Sequence, residues 1–123
     1  MDTFSVILLV CLGAYVAVKL LGVLSRLGIK QVDAHQMDKM KGIMLLDVRT
    51  DKEFKQGHIP GAVHIPLDEV GNKAKKLRKD KEFVVYCQNG NRSIWAIKRL
   101  MGMGFSNLHN LKGGYHAWKR AHR

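Results

Sequence analysis

The stretch FVVYCQNGNRS occupies residues 83–93 and places one cysteine between two different hydrophobic patterns. Before Cys87, consecutive apolar and aromatic residues indicate a strand buried on both of its faces. From Ser93 to Met103, apolar residues recur at helical spacing. A strand, a short loop and a helix in this order are the repeating unit of an α/β fold with a parallel sheet.

Cys87 stands where such a loop turns its backbone N–H groups inward, beside the positive end of a helix. That position favours a thiolate, and Arg92 adds a full positive charge at the end of the loop. Gly90 and its flanking asparagines suit the tight turn that this geometry needs. We therefore interpret Cys87 as a reactive nucleophile; the alternative is a buried structural thiol at the end of a core strand.

The rest of the chain continues this alternation of strands and helices. Apolar runs predict further strands at residues 43–48, 63–65 and 107–111. Capping signals and amphipathic or polar segments predict helices at residues 33–41, 50–57, 67–80 (as one basic helix or two short ones), 93–103 and 115–122. This order indicates an α/β fold in which a mainly parallel sheet carries helices on both faces. Ligands bind such sheets at the carboxyl ends of strands, which is where Cys87 stands.

The first quarter of the chain differs, because residues 4–27 are almost all apolar. A helix of that length spans roughly 36 Å, which is enough to cross a bilayer. A cleaved signal peptide is disfavoured, since no basic residue precedes the run and no small-x-small site follows it. We expect residues 1–30 to form a transmembrane helix with a basic juxtamembrane segment, and residues 31–123 to form one domain.

Flanking charge predicts the orientation of this helix. Asp2 precedes the apolar run, whereas Lys19, Arg26 and Lys30 lie in it or just after it. The positive-inside rule then predicts a single-pass protein of the cell membrane whose domain faces the cytoplasm. A domain with Cys87 as its only cysteine agrees with a reducing compartment.

The predicted domain is basic, with 18 Lys and Arg against nine Asp and Glu. Much of the excess lies in a run of lysines and one arginine at residues 73–81. No aromatic residue interleaves with this run, which disfavours nucleic acid as the partner. Attraction to an anionic membrane surface and plain solubility are the two remaining explanations.

Four motifs occur in order at residues 46–49, 53–62, 87–92 and 113–118, and they read LDVR, EFKQGHIPGA, CQNGNR and GGYHAW. From about Val32 to the C-terminus, the chain thereby resembles a single-domain rhodanese, a sulfurtransferase. With its apolar N-terminal helix, the whole chain is similar to the membrane-anchored bacterial rhodanese-like proteins. The resemblance implies a rhodanese-like fold and no metal or organic cofactor.

The resemblance also implies that Cys87 takes a sulfane sulfur from a small donor, such as thiosulfate or a glutathione persulfide, and holds it as a persulfide. The outer sulfur would then pass to a thiol, cyanide or protein acceptor. Thiolate attack on an S–S bond is the chemistry that an ionised Cys87 would supply. The residues that could bind the substrate and stabilise the persulfide anion are those of the loop: Gln88, Asn89, Gly90, Asn91, Arg92 and Ser93.

Two other functions fit parts of the pattern. Tyrosine and dual-specificity phosphatases also hold a cysteine in an anion cradle closed by an arginine, but their loops resemble Cys-x5-Arg. Here only residues 88–91 separate Cys87 from Arg92, and the shorter loop suits one sulfur atom better than a phosphoryl group. The second alternative is a non-catalytic or carrier module that docks a membrane or protein partner.

Asp47 and Arg49 are candidates for a supporting role, because they follow a strand that should neighbour the strand leading to Cys87. The simpler expectation is structural. Asp47 would then hydrogen-bond loop backbone, and Arg49 would pair on the surface with Glu53 or Asp51.

Overall fold

The computed structural model describes the backbone of all 123 residues and every side chain except those of residues 22–27. Its helices are α1 (Thr3–Leu27), α2 (Ala34–Lys39), α3 (Asp51–Gln56), α4 (Val70–Lys73), α5 (Arg92–Gly102) and α6 (Gly114–Ala121). Its strands are β1 (Lys30–Val32), β2 (Met44–Asp47), β3 (Val63–His64), β4 (Phe83–Tyr86) and β5 (Leu108–Leu111). Two short 3-10 turns flank α4, at Leu67–Glu69 and Ala74–Lys76.

The five strands form one parallel sheet in the order β1-β5-β4-β2-β3. The first residues of the central strands are in register, since Phe83 pairs with both Met44 and Leu108. The sheet therefore has an amino edge, where its strands begin, and a carboxyl edge, where they end. The predicted α/β fold with a parallel sheet is confirmed.

Strand β4 shows why the sheet is covered on both faces. Phe83 and Val85 pack with α4 and α5 in one buried cluster, whereas Val84 and Tyr86 pack in a second cluster with residues of α2 and α6. Because successive side chains of a strand point to opposite faces, an unbroken apolar run needs cover on both sides. All four residues are buried, as the sequence predicts.

Capping boxes fix the start of two helices near the sheet. The Asp33 carboxylate accepts from the backbone N–H of Gln36, whose side chain accepts from the backbone N–H of Asp33. Thr50 and Glu53 make the same reciprocal pair at the start of α3. These bonds satisfy backbone donors that a helix N-terminus leaves free.

Two elements differ from the sequence-based expectation. Strand β1 was not predicted, because only Val32 of its residues is buried and no apolar run marks it. It forms by pairing with β5. The basic segment predicted as helical to residue 80 ends at Lys76, and Leu77 is extended. Within the segment, α4 contains the poor helix formers Gly71 and Asn72.

Helix α1 is long and apolar enough over Thr3–Leu21 to cross a membrane, with a mean hydropathy of 2.4. None of that span is buried against the rest of the protein. A membrane anchor and a signal sequence both have these properties.

Helix α6 approaches the loop after β4 closely at Gly114, whose φ is +60°. A Cβ atom at this position would overlap the carbonyl oxygen of Cys87 and would lie 2.7 Å from the carbonyl oxygen of Gln88. Both neighbours are backbone atoms, so neither can turn away as a flexible side chain would. The glycine therefore permits the packing of α6 against the loop.

We predict that Gly114→Ala lowers the free energy of unfolding by about 2–4 kcal/mol, because it adds both overlap and left-handed strain. The matched control is Gly102→Ala, at the end of α5, where a Cβ meets nothing within 4 Å. That variant should unfold at the same urea concentration as the parent or slightly higher. Urea titration of the full chain in detergent, followed by tryptophan fluorescence, measures both. Equal effects of the two variants would contradict the packing argument.

Candidate active site

Cys87 follows β4 directly at the carboxyl edge of the sheet, and its side chain is buried with only 1% of the residue exposed. The backbone N–H of Gly90 donates to Cys87 Sγ at 3.1 Å. The thiol also lies 3.4 Å from Ser93 Oγ, to which it donates. A backbone donor and the N-terminus of α5 surround the sulfur, which is an environment that stabilises negative charge.

Gly90 gives the loop the shape that aims this N–H at the sulfur. Its φ of +92° lies in the region that favours glycine. A Cβ atom here would lie 3.1 Å from the backbone nitrogen of Gly113 and 3.4 Å from the carbonyl oxygen of Leu111. The loop is thus packed tightly against the end of β5.

Asn110 joins the loop to the sheet, and sequence reasoning did not identify it. The Ser93 hydroxyl donates to Asn110 Oδ1. Asn110 Nδ2 donates to the carbonyl oxygen of Gly90 at 3.1 Å and to Gln31 Oε1 at 2.9 Å. The available signal was an asparagine in a short strand whose other buried residues are leucines.

The start of α6 supports the other side of the loop. The backbone N–H of Tyr115 donates to the Cys87 carbonyl at 2.8 Å, and that of His116 donates to the Gln88 carbonyl at 3.2 Å. The Gln88 side chain lies between Arg49 and His116, with its Oε1 accepting from Arg49 Nη1 at 3.0 Å. Gln88 therefore connects the loop to Arg49 and His116 through its side chain.

Asp47 and Arg49 form a buried ion pair next to this loop. Asp47 is fully buried and accepts from the Arg49 backbone N–H at 2.9 Å, as expected for a carboxylate that binds loop backbone. The Arg49 guanidinium donates to Asp47 Oδ2 at 2.8 Å and to the Gly57 carbonyl at 2.7 Å. The predicted surface pairing of Arg49 with Glu53 or Asp51 is wrong, because a buried carboxylate needs a cationic partner and Arg49 supplies it.

Aromatic rings complete the surroundings of Arg49. Its guanidinium carbon lies 4.2 Å from the centre of the Tyr115 ring and 5.7 Å from that of Tyr86. Burial by itself lowers the pKa of Arg49, but the hydrogen bonds and charge of Asp47 outweigh burial and leave the pKa above its ordinary value. Arg49 is thus a permanent cation held inside the protein.

Arg92 pairs with Glu53 across the gap between α5 and α3. Two parallel hydrogen bonds of 3.0 Å join the guanidinium to the carboxylate. The hydrogen bonds from Arg92 lower the pKa of Glu53 to about 2. In return, Glu53 raises the pKa of Arg92, and the nearby Cys87 makes a smaller contribution in the same direction. Arg92 keeps about two fifths of its side chain exposed at the rim of the loop.

The loop residues predicted to bind substrate differ in whether they contact the sulfur of Cys87. Gly90 and Ser93 contact the sulfur of Cys87, while Asn89 and Asn91 are exposed on the outer turn. An open cleft of about 240 Å³ lies beside the loop, lined by residues that include Arg49, Glu53, Gln88, His116 and Lys119. Among the described residues, no cluster of three or more His, Cys, Asp or Glu is placed to hold a metal ion.

Known proteins share both this sequence and this fold. A sulfurtransferase of Allochromatium vinosum is 32% identical over 96 residues, which cover 75% of this chain and 90% of the relative. The thiosulfate sulfurtransferase GlpE of Pseudomonas savastanoi pv. phaseolicola is 34% identical over 92 residues, covering 73% of this chain and 87% of that protein. The crystal structure of a rhodanese-related protein from Thermoplasma volcanium has a TM-score of 0.69 at 32% identity, covering 75% of this chain and 92% of that one.

The family model of the rhodanese-like domain matches residues 30–121, which contain the whole sheet and the loop around Cys87. With sulfurtransferase relatives and a rhodanese-related structural neighbour, the chain belongs to the rhodanese-like domain family.

Proposed function

We propose that the protein is a sulfurtransferase that carries sulfane sulfur as a persulfide on Cys87. The observation that supports this most directly is the hydrogen bond from the Gly90 backbone N–H to Cys87 Sγ. In this proposal, that hydrogen bond stabilises the negative charge that develops on a buried sulfur during the reaction. Relatives named as sulfurtransferases support the same reaction class.

The proposed reaction has two displacements at sulfur. The Cys87 thiolate attacks the outer sulfur of thiosulfate, the S–S bond of the donor breaks, and sulfite leaves with the electron pair. Cys87 then carries one additional sulfur as a persulfide. An acceptor such as cyanide or a thiolate attacks that outer sulfur, and the Cys87 thiolate leaves.

The surrounding residues have distinct parts in this proposal. Gly90 donates to the anion, and Ser93 is within hydrogen-bonding distance of the same sulfur. Arg92 adds positive charge at the rim, which attracts an anionic donor. Asp47 and Arg49 are positioning residues, because Arg49 holds the Gln88 side chain and Gln88 belongs to the loop. The burial of Cys87 favours a small donor over a bulky one.

We predict that the full chain in detergent gains the mass of one sulfur atom when it is treated with thiosulfate or a glutathione persulfide. Cyanide should remove that mass and yield thiocyanate. Cys87→Ser should gain nothing, because a hydroxyl at this position does not attack sulfane sulfur. Intact-mass spectrometry measures each step.

The matched control is Cys11→Ser, which removes the other cysteine of the chain, in α1. It should gain and lose the sulfur as the parent does. If neither donor adds mass to the parent chain, the catalytic proposal fails, and the carrier or docking module becomes the better explanation. A mass gain that survives in Cys87→Ser would place the sulfur on another residue.

The Arg92–Glu53 pair gives a test of how the loop is held. The pKa of Glu53 is about 2 in the folded protein against an ordinary value of 4.5, so its charge stabilises the fold above about pH 4.5. This contribution, at most about 3 kcal/mol, is lost as the pH falls from about 4.5 toward 2. Glu53→Gln lacks the titrating group, so its stability deficit relative to the parent should shrink over that range.

Urea unfolding of the parent and of Glu53→Gln, from neutral pH to about pH 3, measures this difference. Asp68→Asn changes an exposed carboxylate that takes part in none of the ion pairs of the described side chains. Its stability should follow that of the parent at every pH. A deficit of Glu53→Gln that stays constant with pH would contradict the ion-pair assignment.

We further propose that α1 anchors the protein in the cell membrane as a single span, with the domain in the cytoplasm. The apolar, unburied stretch Thr3–Leu21 supports the span, and the cations that follow it support the orientation. The division into an anchor of residues 1–30 and a domain of residues 31–123 is part of this proposal.

Two arginines in the middle of the span should release the protein from membranes, since each costs about 2.5–3.5 kcal/mol at a helix centre. The variant is Leu9→Arg with Leu12→Arg, and its control is Leu9→Ala with Leu12→Ala. Alkaline extraction of cell membranes followed by immunoblotting measures retention.

A C-terminal tag should resist protease in intact spheroplasts, and cleavage there would contradict the cytoplasmic orientation.

A further inference from the structure

The amino edge of the sheet is joined to α1 by a very short connection. Helix α1 ends at Leu27 and β1 begins at Lys30, so only Gly28 and Ile29 lie between them. Ile29 is buried in the core cluster that α4 and α5 cover. The three steps from Leu27 to Lys30 reach at most about 11 Å, and the start of β1 must therefore lie close to the end of α1.

The length of α1 sets the distance from the bilayer, if α1 is the proposed anchor. The apolar span of 19 residues covers about 28 Å, close to the thickness of the hydrocarbon layer. The remaining helical residues, 22–27, add about 9 Å, while the headgroup layer on each side is roughly 6 Å thick. The start of β1 is consequently held within roughly 14 Å of the headgroups.

Lysines are concentrated in the segments that enter the strands at this edge. Lys30 begins β1, Lys41 precedes β2, and Lys79 and Lys81 precede β4. The first three are exposed and Lys81 is half-buried. Lys79 Nζ lies 6.0 Å from the ring centre of Phe105, in the segment that enters β5, so Lys79 reaches along the edge toward the neighbouring strand.

The acidic side chains at the same edge already have partners. Asp80 pairs with Arg78 at 2.7 Å, and Glu82 lies 3.2 Å from His109. Among the described side chains, none of the ion pairs involves Lys30, Lys41, Lys79 or Lys81. The amino edge thus presents four lysines without an ion-pair partner among the described side chains, although Lys81 interacts electrostatically with Asp80.

We propose that this amino edge, formed by Lys30, Lys41, Lys79 and Lys81, binds anionic phospholipid headgroups. This rests on the proposed membrane anchor and is independent of the chemistry at Cys87. Each lysine within a Debye length of an anionic surface contributes attraction. The short connection to α1 holds Lys30 near that surface, and the other three lysines come within range when the amino edge of the sheet turns toward the bilayer. The contact fixes which end of the sheet faces the bilayer.

The proposal also orients the loop around Cys87. Strand β4 separates the amino edge at Phe83 from Cys87 by four residues, or roughly 13 Å of strand. Because every strand is parallel, the loops at the carboxyl edge lie on the far side of the sheet from the headgroups. The loop around the buried Cys87 then faces the aqueous phase, from which soluble donors and acceptors approach it.

The test is hydrogen exchange of the full chain in two kinds of lipid nanodisc, one of phosphatidylcholine alone and one that also contains phosphatidylglycerol. Backbone amides at residues 40–43 and 78–82 should exchange about fivefold more slowly in the anionic discs, the factor that one lysine at an anionic surface provides. Amides of the loop at residues 88–93 should exchange at the same rate in both. High salt should remove the difference.

The test variant carries Lys41→Gln, Lys79→Gln and Lys81→Gln, and it should lose the slowing in anionic discs. The matched control carries Lys52→Gln, Lys55→Gln and Lys112→Gln, three exposed lysines in segments that follow strands at the carboxyl edge. It should keep the slowing. Equal thermal unfolding of both variants by circular dichroism shows that the charges, and not the fold, make the difference.

Several results would overturn the proposal. These are equal exchange of the parent chain in both discs, equal losses in the two variants, or slowing confined to residues 88–93. Slowing of the amino edge by added RNA in neutral discs would assign this surface to nucleic acid instead. A chain that does not co-elute with the discs would overturn the anchor, whereas persulfide formation on Cys87 is scored separately by mass.

Discussion

The hydrogen bond from the Gly90 backbone to the buried sulfur of Cys87 is the interaction on which the site depends. It exists only because Gly90 adopts a φ of +92° and has no Cβ to collide with β5 and Gly113. Asn110 holds the Gly90 carbonyl, and the start of α6 holds the Cys87 carbonyl. The loop is therefore fixed from two sides before any substrate arrives, and that preorganisation is what electrostatic stabilisation of an anion requires.

Two arginines near this loop carry the same charge in different settings. Arg49 is buried, neutralises the fully buried Asp47 and holds Gln88. Arg92 is partly exposed and shares its guanidinium with Glu53, so its positive charge is offset but remains at the rim. A buried pair fixes geometry because breaking it would leave an uncompensated charge, whereas a partly exposed pair contributes less to the fold and keeps its charges near solvent. Arg49 therefore positions the loop through Gln88, and Arg92 supplies the positive charge at the rim of the loop.

The sequence predicted what depends on local pattern. Unbroken apolar runs marked β2 and β4, and the capping signal at Asp33 marked the start of α2. Local patterns could not predict contacts between residues that lie far apart in the sequence. The pairing of Arg49 with Asp47 was missed because it depends on the burial of both side chains. That burial depends on how whole strands and helices pack together. Asn110 was missed because its three partners come from β1, the loop and α5. Strand β1 was missed because pairing with β5, and not composition, makes it a strand.

A parallel sheet has two chemically different edges, and this chain gives each a separate use. The carboxyl edge gathers the loops that follow β2, β4 and β5, so residues far apart in sequence surround one sulfur atom. The amino edge receives the chain from α1 and collects the lysines that precede the strands. Because strand direction fixes both edges at once, attachment at the start of β1 also decides which way Cys87 faces. In the proposed membrane-bound state, the same parallel register that assembles the site would turn it away from the bilayer when the lysines bind headgroups.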